Sequence, residues 1–238
     1  MFFSPAYARF LLLIGLFWGG LSIPCSAQEV WTGVTLRVKP IKRVNVEAEQ
    51  QFRFQNNFST LYSRFVELGV GYDITSRLNV HAAYRHTNRT TVERVDDDRR
   101  RISAEASYTI GSDNTAFALA YRIRYQAAQE TSGEENRDKY IRNRLALNYN
   151  LTKRVTPYAS TELFYKLAPA NEIRGFWFTM GLKSKIGKAI GLNTFYRIEK
   201  ELNVKRPQTN LIVGVMLAYR LKLYKKASSD DDMPIGGY

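Results

Sequence analysis

The chain has 238 residues, 45% of them hydrophobic and 24% charged, and a formal net charge of +13. This composition excludes long disorder, and a single cysteine excludes an internal disulfide framework or a thiolate metal cluster. The basic balance calls for a polyanionic neighbour.

The first element reads as a targeting segment. Arg9 supplies the positive start, Phe10 to Leu21 is an uncharged apolar run, and Ser22 to Ala27 is a small-residue cleavage region before Gln28. A bilayer-spanning helix needs about 20 apolar residues, and this run is shorter. Residues 1–27 are therefore expected to be a cleaved signal peptide. Cys25, the only cysteine, leaves with it. Pro24 spoils the lipobox that would make Cys25 a lipid anchor. Export argues against nucleic acid as the anion and for outer-membrane lipids, lipopolysaccharide phosphates above all.

From there the hydropathic period is two. A first strand is expected near 30–39. In 44–55, Val44, Val46, Ala48, Phe52 and Phe54 share one face, while Asn45, Glu47, Glu49, Gln51 and Arg53 share the other. Only a strand separates those sets, because successive side chains point to opposite faces. The alternation recurs at 61–72, 78–89, 101–110, 115–126, 139–149, 155–167, 174–186, 190–200 and 208–222. No stretch after the signal offers 18 consecutive apolar residues.

Strands of a soluble sandwich average about 5–6 residues, and these are about twice that. A tilted strand needs about 9–11 residues to cross a bilayer. Tyrosines favour the membrane. Tyr62 and Tyr72 bracket one apolar face, about 33 Å apart at ~3.3 Å per residue, or roughly 25 Å of height once tilted. Tyr108, Tyr149 and Tyr219 close other strands on the same outward parity, and Tyr84, Tyr125, Tyr165 and Tyr196 are read at the opposite ends. Together they predict two aromatic girdles. The expected fold is an all-β, antiparallel, up-and-down transmembrane β-barrel of 10–12 strands filling 28–224, followed by a polar, disordered tail over 225–238.

Short connections, expected near Pro40–Arg43, Asp73–Arg77, Gly111–Asn114, Asn150–Arg154 and Gly187–Ala189, would face the periplasm. Longer ones, at Asn56–Thr60, Asn88–Arg99, Gln126–Lys139, Ala168–Ile173 and Glu201–Pro207, would face outward. Eleven segments conflict with the even strand number of bacterial single-chain barrels. Starting the barrel at Val44 gives ten strands with both ends periplasmic. Residues 30–39 would then be an extra partner, or a twelfth strand would hide in a loop.

The inward face carries Glu47, Glu49, Arg53, Glu67, His81, Arg85, Arg101, Glu105, Arg122, Arg124, Arg142, Arg144, Glu162, Arg197 and Glu199. Buried charges must pair or cost several kcal/mol each. The simpler reading is a structural Glu/Arg ladder plugging a narrow barrel. The sharper one is a polar channel whose excess arginine selects anions. No catalytic, cofactor-binding or metal-binding set emerges. His86 lies at a rim on the lipid side, but Thr87 and Asn88 follow it, so the His-x-Ser signature of an outer-membrane lipid hydrolase is missing. The run Asp96 to Arg101 sits where a long loop enters the membrane and could hold lipid phosphates.

Trp31, the VNVEAEQQFRF strand, GVGYDITSRLNVHAAYRH and VTPYASTELFY resemble a family of gram-negative outer-membrane barrels known as a domain of unknown function. The resemblance runs from Trp31 to Leu223. It implies outer-membrane location and no established activity. Ile212-x-Gly214-x-x-Leu217-x-Tyr219 also resembles the signal read by the barrel-assembly machinery, which would be a partner during biogenesis. It departs in having isoleucine where a polar residue is usual. The expected role is structural, envelope or surface interaction, with a narrow anion-leaning channel and a lipid-modifying enzyme as alternatives.

Overall fold

The computed structural model describes residues 28–56, 58–90, 97–111, 115–130 and 138–223. The expected signal peptide and the tail lie outside the described residues. Eleven strands run through the described residues: β1 (Glu29–Ile41), β2 (Val44–Gln55), β3 (Thr60–Asp73), β4 (Leu78–Arg89), β5 (Asp97–Ile110), β6 (Phe117–Glu130), β7 (Asp138–Tyr149), β8 (Val155–Lys166), β9 (Glu172–Ile186), β10 (Ile190–Glu201) and β11 (Thr209–Lys222). Consecutive strands pair antiparallel, and β1 pairs with β11 to close the barrel.

Closure settles the strand count. β1 lies parallel to β11 from Glu29 opposite Ile212 to Lys39 opposite Lys222. It also pairs antiparallel with β2, from Glu29 opposite Gln55 to Ile41 opposite Val44. Residues 30–39 are thus a full wall strand, and the ten-strand barrel starting at Val44 is corrected. An odd number of up-and-down strands leaves the first and last running the same way, so only a parallel ladder can close the wall. The two ends of the described barrel consequently lie at opposite rims.

One rim carries the connections 42–43, 74–77, 111–116, 150–154 and 187–189, here called the turn rim. Two of them share a device. Thr75 Oγ1 accepts from the backbone N–H of Arg77 (3.1 Å) and Leu78 (2.9 Å), and Thr152 Oγ1 accepts from Arg154 (3.1 Å) and Val155 (3.0 Å). The hydroxyl replaces the missing ladder partner and fixes where the next strand starts. Gly187 opens the 187–189 turn at φ +87°, which an L side chain rarely adopts.

The loop rim carries 56–59, 90–96, 131–137, 167–171 and 202–208. Here the strands run further than hydropathy suggests. β5 starts at Asp97, β6 reaches Glu130 and β7 starts at Asp138. Their polar ends pair with each other across strands: Asn88 Nδ2 donates to Asp98 Oδ1 at 3.0 Å, and Arg99 lies 3.2 Å from Asp138. A charged ribbon above the apolar band therefore reads as loop in a hydropathy pattern while keeping its ladder.

The outer wall is apolar and exposed. Val34, Leu36, Val66, Leu68, Val70, Ile102, Ile123, Leu145, Leu147, Leu163, Met180, Val215 and Leu217 all point away from the lumen. Soluble monomers rarely expose more than a few hundred Å² of contiguous apolar surface. A belt of this kind circling a closed barrel is the lipid-facing surface of a transmembrane β-barrel. It excludes a lipocalin-like arrangement, in which the apolar face would turn inward.

Candidate functional site

The expected inward set does face the lumen, and the wall brings most of it into two ion-paired groups. Glu67 on β3 receives Arg85 Nε at 2.6 Å and Arg101 Nη2 at 3.0 Å, from β4 and β5. Glu105 on β5 receives Arg124 Nε at 2.5 Å, with Arg122 at 3.6 Å and His81 Nδ1 at 3.9 Å. Glu162 on β8 takes Arg122 Nη2 at 2.8 Å and both Nε and Nη2 of Arg142 at 3.0 Å. Each of these carboxylates is thus shared by two arginines, and Arg122 joins Glu105 to Glu162. Arg142 Nη1 also donates to Gln126 Oε1 at 3.0 Å, and Arg144 Nη2 to Ser160 Oγ at 3.3 Å.

The remaining members sit at the margins. Arg37 holds Glu47 at 2.6 Å. Glu49 lies directly opposite Glu67 in the β2–β3 ladder, with Arg85 across from Glu67 on β4. Arg197 donates to Thr179 Oγ1 at 3.0 Å and lies 3.7 Å from Glu199, whose Oε1 accepts no hydrogen bond.

Aromatic side chains complete the filling, and hydropathy alone passed over them. Trp31, Tyr158, Phe195 and Ile212 form a buried cluster against the β1–β11 seam, with Met216 packed on it. Arginines lie over Trp31 and over other inward rings: Arg53 over Trp31 at 3.8 Å, Arg85 over Phe65 at 3.5 Å, Arg142 over Phe164 at 4.3 Å and Arg197 over Trp177 at 4.6 Å. A guanidinium is planar and weakly hydrated, so a ring can cover its flat face while its N–H edge keeps its hydrogen-bond partners. Inward glycines leave room for the rings. A Cβ on Gly214 would run into the Phe195 ring, and one on Gly181 into Tyr158. The legible clue was parity: Phe65 shares its face with Glu67, and Phe195 shares its face with Arg197.

The expected girdles are only half as read. Tyr72, Tyr108, Tyr149 and Tyr219 stand exposed on the outer wall at the turn-rim ends of their strands. Tyr125 is also exposed outside, and Tyr165 lies outward near the loop-rim end of β8. Tyr84 and Tyr196, though outward, sit near the midpoints of β4 and β10. Tyr62 leaves the outer row altogether. The β2–β3 ladder steps from Arg53–Ser63 to Phe54–Leu61, so Tyr62 is the extra residue of a bulge. A bulge re-aims its side chain. Tyr62 donates to the Glu29 carboxylate, which also accepts from the Trp31 indole at 2.8 Å. His86 is outward at the loop rim, 3.8 Å from Asp98.

The accessibility of the ladder varies along the barrel. Near the turn rim, the Arg37 and Glu47 side chains are 23% and 24% exposed, and near the loop rim Arg99 and Asp138 are 21% and 35% exposed. Between them, Arg142 and Glu162 fall to 6% and 7%. Among the described residues, the lumenal ion pairs are partly exposed near both rims and buried at the waist.

The sequence matches, over residues 28–210, the family described as protein of unknown function (DUF2490), and the chain belongs to that family. No curated protein sequence matches it. Among solved structures, the chain is similar to a NanC porin (14% identity, 81% of this chain and 99% of that one, TM-score 0.45). It is also similar to the outer-membrane expressed OmpT of Vibrio cholerae (14%, 66% and 54%, 0.38) and to an anion-selective porin from Comamonas acidovorans (14%, 74% and 55%, 0.36). The chain spans about half the length of the last two.

Proposed function

We propose that this member of the family is an integral outer-membrane barrel with a structural, envelope or surface-interaction role, exported by the segment 1–27 and inserted by the barrel-assembly machinery. The observation that carries the reading is the filled waist: Glu67, Glu105 and Glu162, each bound by two arginines, with Arg142 packed over Phe164 and Trp177. Such a network fixes the wall strands relative to one another and leaves little reason for solute to cross. Outward Arg64, His86 and Arg100 near the loop rim, on adjoining strands, suit the phosphates of lipopolysaccharide. The chain inserted into a planar bilayer is expected to give no discrete conductance steps at any voltage. Regular steps would overturn the scaffold reading.

One observation favours a second reading. Inward basic residues exceed inward acids near the turn rim, as a narrow anion-leaning channel would require. Steps with a reversal potential favouring chloride would establish that channel in place of the scaffold.

A further inference from the structure

The apolar outer wall is interrupted by a polar cluster. On β6, β7 and β8, Tyr121, Asn143 and Thr161 all point outward. Asn143 lies opposite Ile123 on one side and Leu163 on the other, and Leu145 lies between Tyr121 and Thr161 in the neighbouring row. Ile123, Leu145 and Leu163 are exposed on the same face. Asn143 stands six residues from Tyr149 at the turn-rim end of β7, and Thr161 six residues from Val155 at that end of β8. Six residues are about 20 Å of strand, or roughly 15 Å of height at a tilt of about 40°, near the middle of an apolar band about 25 Å tall.

Hydrocarbon offers a polar side chain no hydrogen bond, so a group left unsatisfied there is costly. Tyr121 Oη donates to Asn143 Oδ1 at 2.6 Å. That bond orients the amide and leaves its two N–H donors over. Among the described residues, neither these donors nor the Thr161 hydroxyl has a partner. Gln50, an outward amide between Val34 and Val66 on β2, has no such bond to orient it.

What satisfies the cluster must lie inside the bilayer at the same depth. Lipid tails carry neither donor nor acceptor. The cluster carries both, since Asn143 supplies N–H donors and the hydroxyl oxygens of Tyr121 and Thr161 supply lone pairs. It is therefore complementary to itself. A twofold axis along the membrane normal keeps two copies in the same orientation and brings equal depths together. Asn143 of one copy then donates to Thr161 of the other, and symmetry repeats the bond. Exchanging lipid for apolar protein surface supplies little driving force, so such polar pairs decide the association.

We infer that the β6–β8 face is an interface for a second copy of this chain, forming a twofold dimer held by Tyr121, Asn143 and Thr161. The inference goes beyond the scaffold role, and it survives or fails independently of any conductance.

The test is energy transfer between copies in phosphatidylcholine vesicles that contain the purified chain alone. In a Cys25→Ser background, Lys222→Cys is labelled with donor dye in one batch and acceptor dye in another, and the two are reconstituted together. Transfer above that of random mixing is expected, saturating with protein-to-lipid ratio and rising linearly with acceptor fraction, as for a dimer. Asn143→Leu should weaken the association about tenfold or more, read as a shift of the half-saturating ratio, because two symmetry-related hydrogen bonds are lost together. Gln50→Leu, on another face, should leave that ratio unchanged. A shift of gel mobility on boiling verifies that each variant is folded. Transfer no greater than random, a curved dependence on acceptor fraction, an unmoved ratio with Asn143→Leu or a moved one with Gln50→Leu would overturn the assignment.

Discussion

Arg142 and Glu162, on the neighbouring strands β7 and β8, meet as a two-pronged pair: Nε reaches Oε1 and Nη2 reaches Oε2, both at 3.0 Å. They stand beside each other in the barrel wall without being register partners, since Arg142 lies opposite Phe164 and Glu162 opposite Arg144. The diagonal places the Arg142 guanidinium over the Phe164 ring and leaves the same carboxylate open to Arg122. One carboxylate thus serves three strands.

Removing that carboxylate should be more harmful than removing the whole pair. Glu162→Gln leaves Arg142 without its counter-charge and Arg122 with Glu105 alone, at 3.6 Å, and breaking a buried pair costs about 3–5 kcal/mol. The double variant Arg142→Met, Glu162→Leu removes both charges and should lose much less. Urea unfolding in micelles, followed by tryptophan fluorescence, checks the order. A single variant as stable as the parent would mean that the ladder does not hold the waist.

Gly214 is required by a ring. Its inward face is covered by Phe195, which packs edge-on to Trp31 with centroids 6.5 Å apart. Gly214→Val should therefore push the ring out of place and cost about 1–3 kcal/mol, the usual range for overpacking. Pairing it with Phe195→Ala should recover part of the folded fraction on a boiled-versus-unboiled gel. Failure of the second change to help would separate the glycine from the ring.

The outer wall should respond to charge by depth. Leu68, exposed near the middle of β3, faces the centre of the lipid band, whereas Tyr72 stands at the strand's turn-rim end. Leu68→Arg should cost about 2–4 kcal/mol and Tyr72→Arg about 0–1 kcal/mol, measured by unfolding from lipid vesicles. Equal penalties would contradict a membrane-spanning wall.

The parallel seam places the two ends of the described barrel at opposite rims. Gln28 precedes β1 at the loop rim, and Lys222 ends β11 at the turn rim. In a Cys25→Ser background, Gln28→Cys and Lys222→Cys should react oppositely with a membrane-impermeant maleimide applied to intact cells: one labelled, the other protected. Labelling of both from outside would argue for an even-stranded wall.

Much of this barrel is legible in the pattern of the chain. Period-two alternation located all eleven strands, because a wall between lipid and a polar lumen forces each strand to sort its side chains by parity. The same parity placed Glu67, Arg85, Glu105, Arg124, Arg142 and Glu162 inside. Parity cannot detect a bulge, since one extra residue re-aims a side chain without altering composition, and so Tyr62 was misplaced. Nor can hydropathy distinguish an apolar side chain that faces lipid from one that fills the lumen, which hid Trp177 and Phe195.

The sequence alone determined that the chain must form a wall with one apolar and one charged face, a consequence of local alternation that needs no partner strand. Which strands close the wall was decided only in three dimensions. Register between β1 and β11 depends on residues far apart in the chain, and only their pairing makes the strand number odd. The partners of each lumenal charge were settled the same way, because side chains inside a narrow barrel meet diagonally across strands and are ordered by strand tilt and stagger.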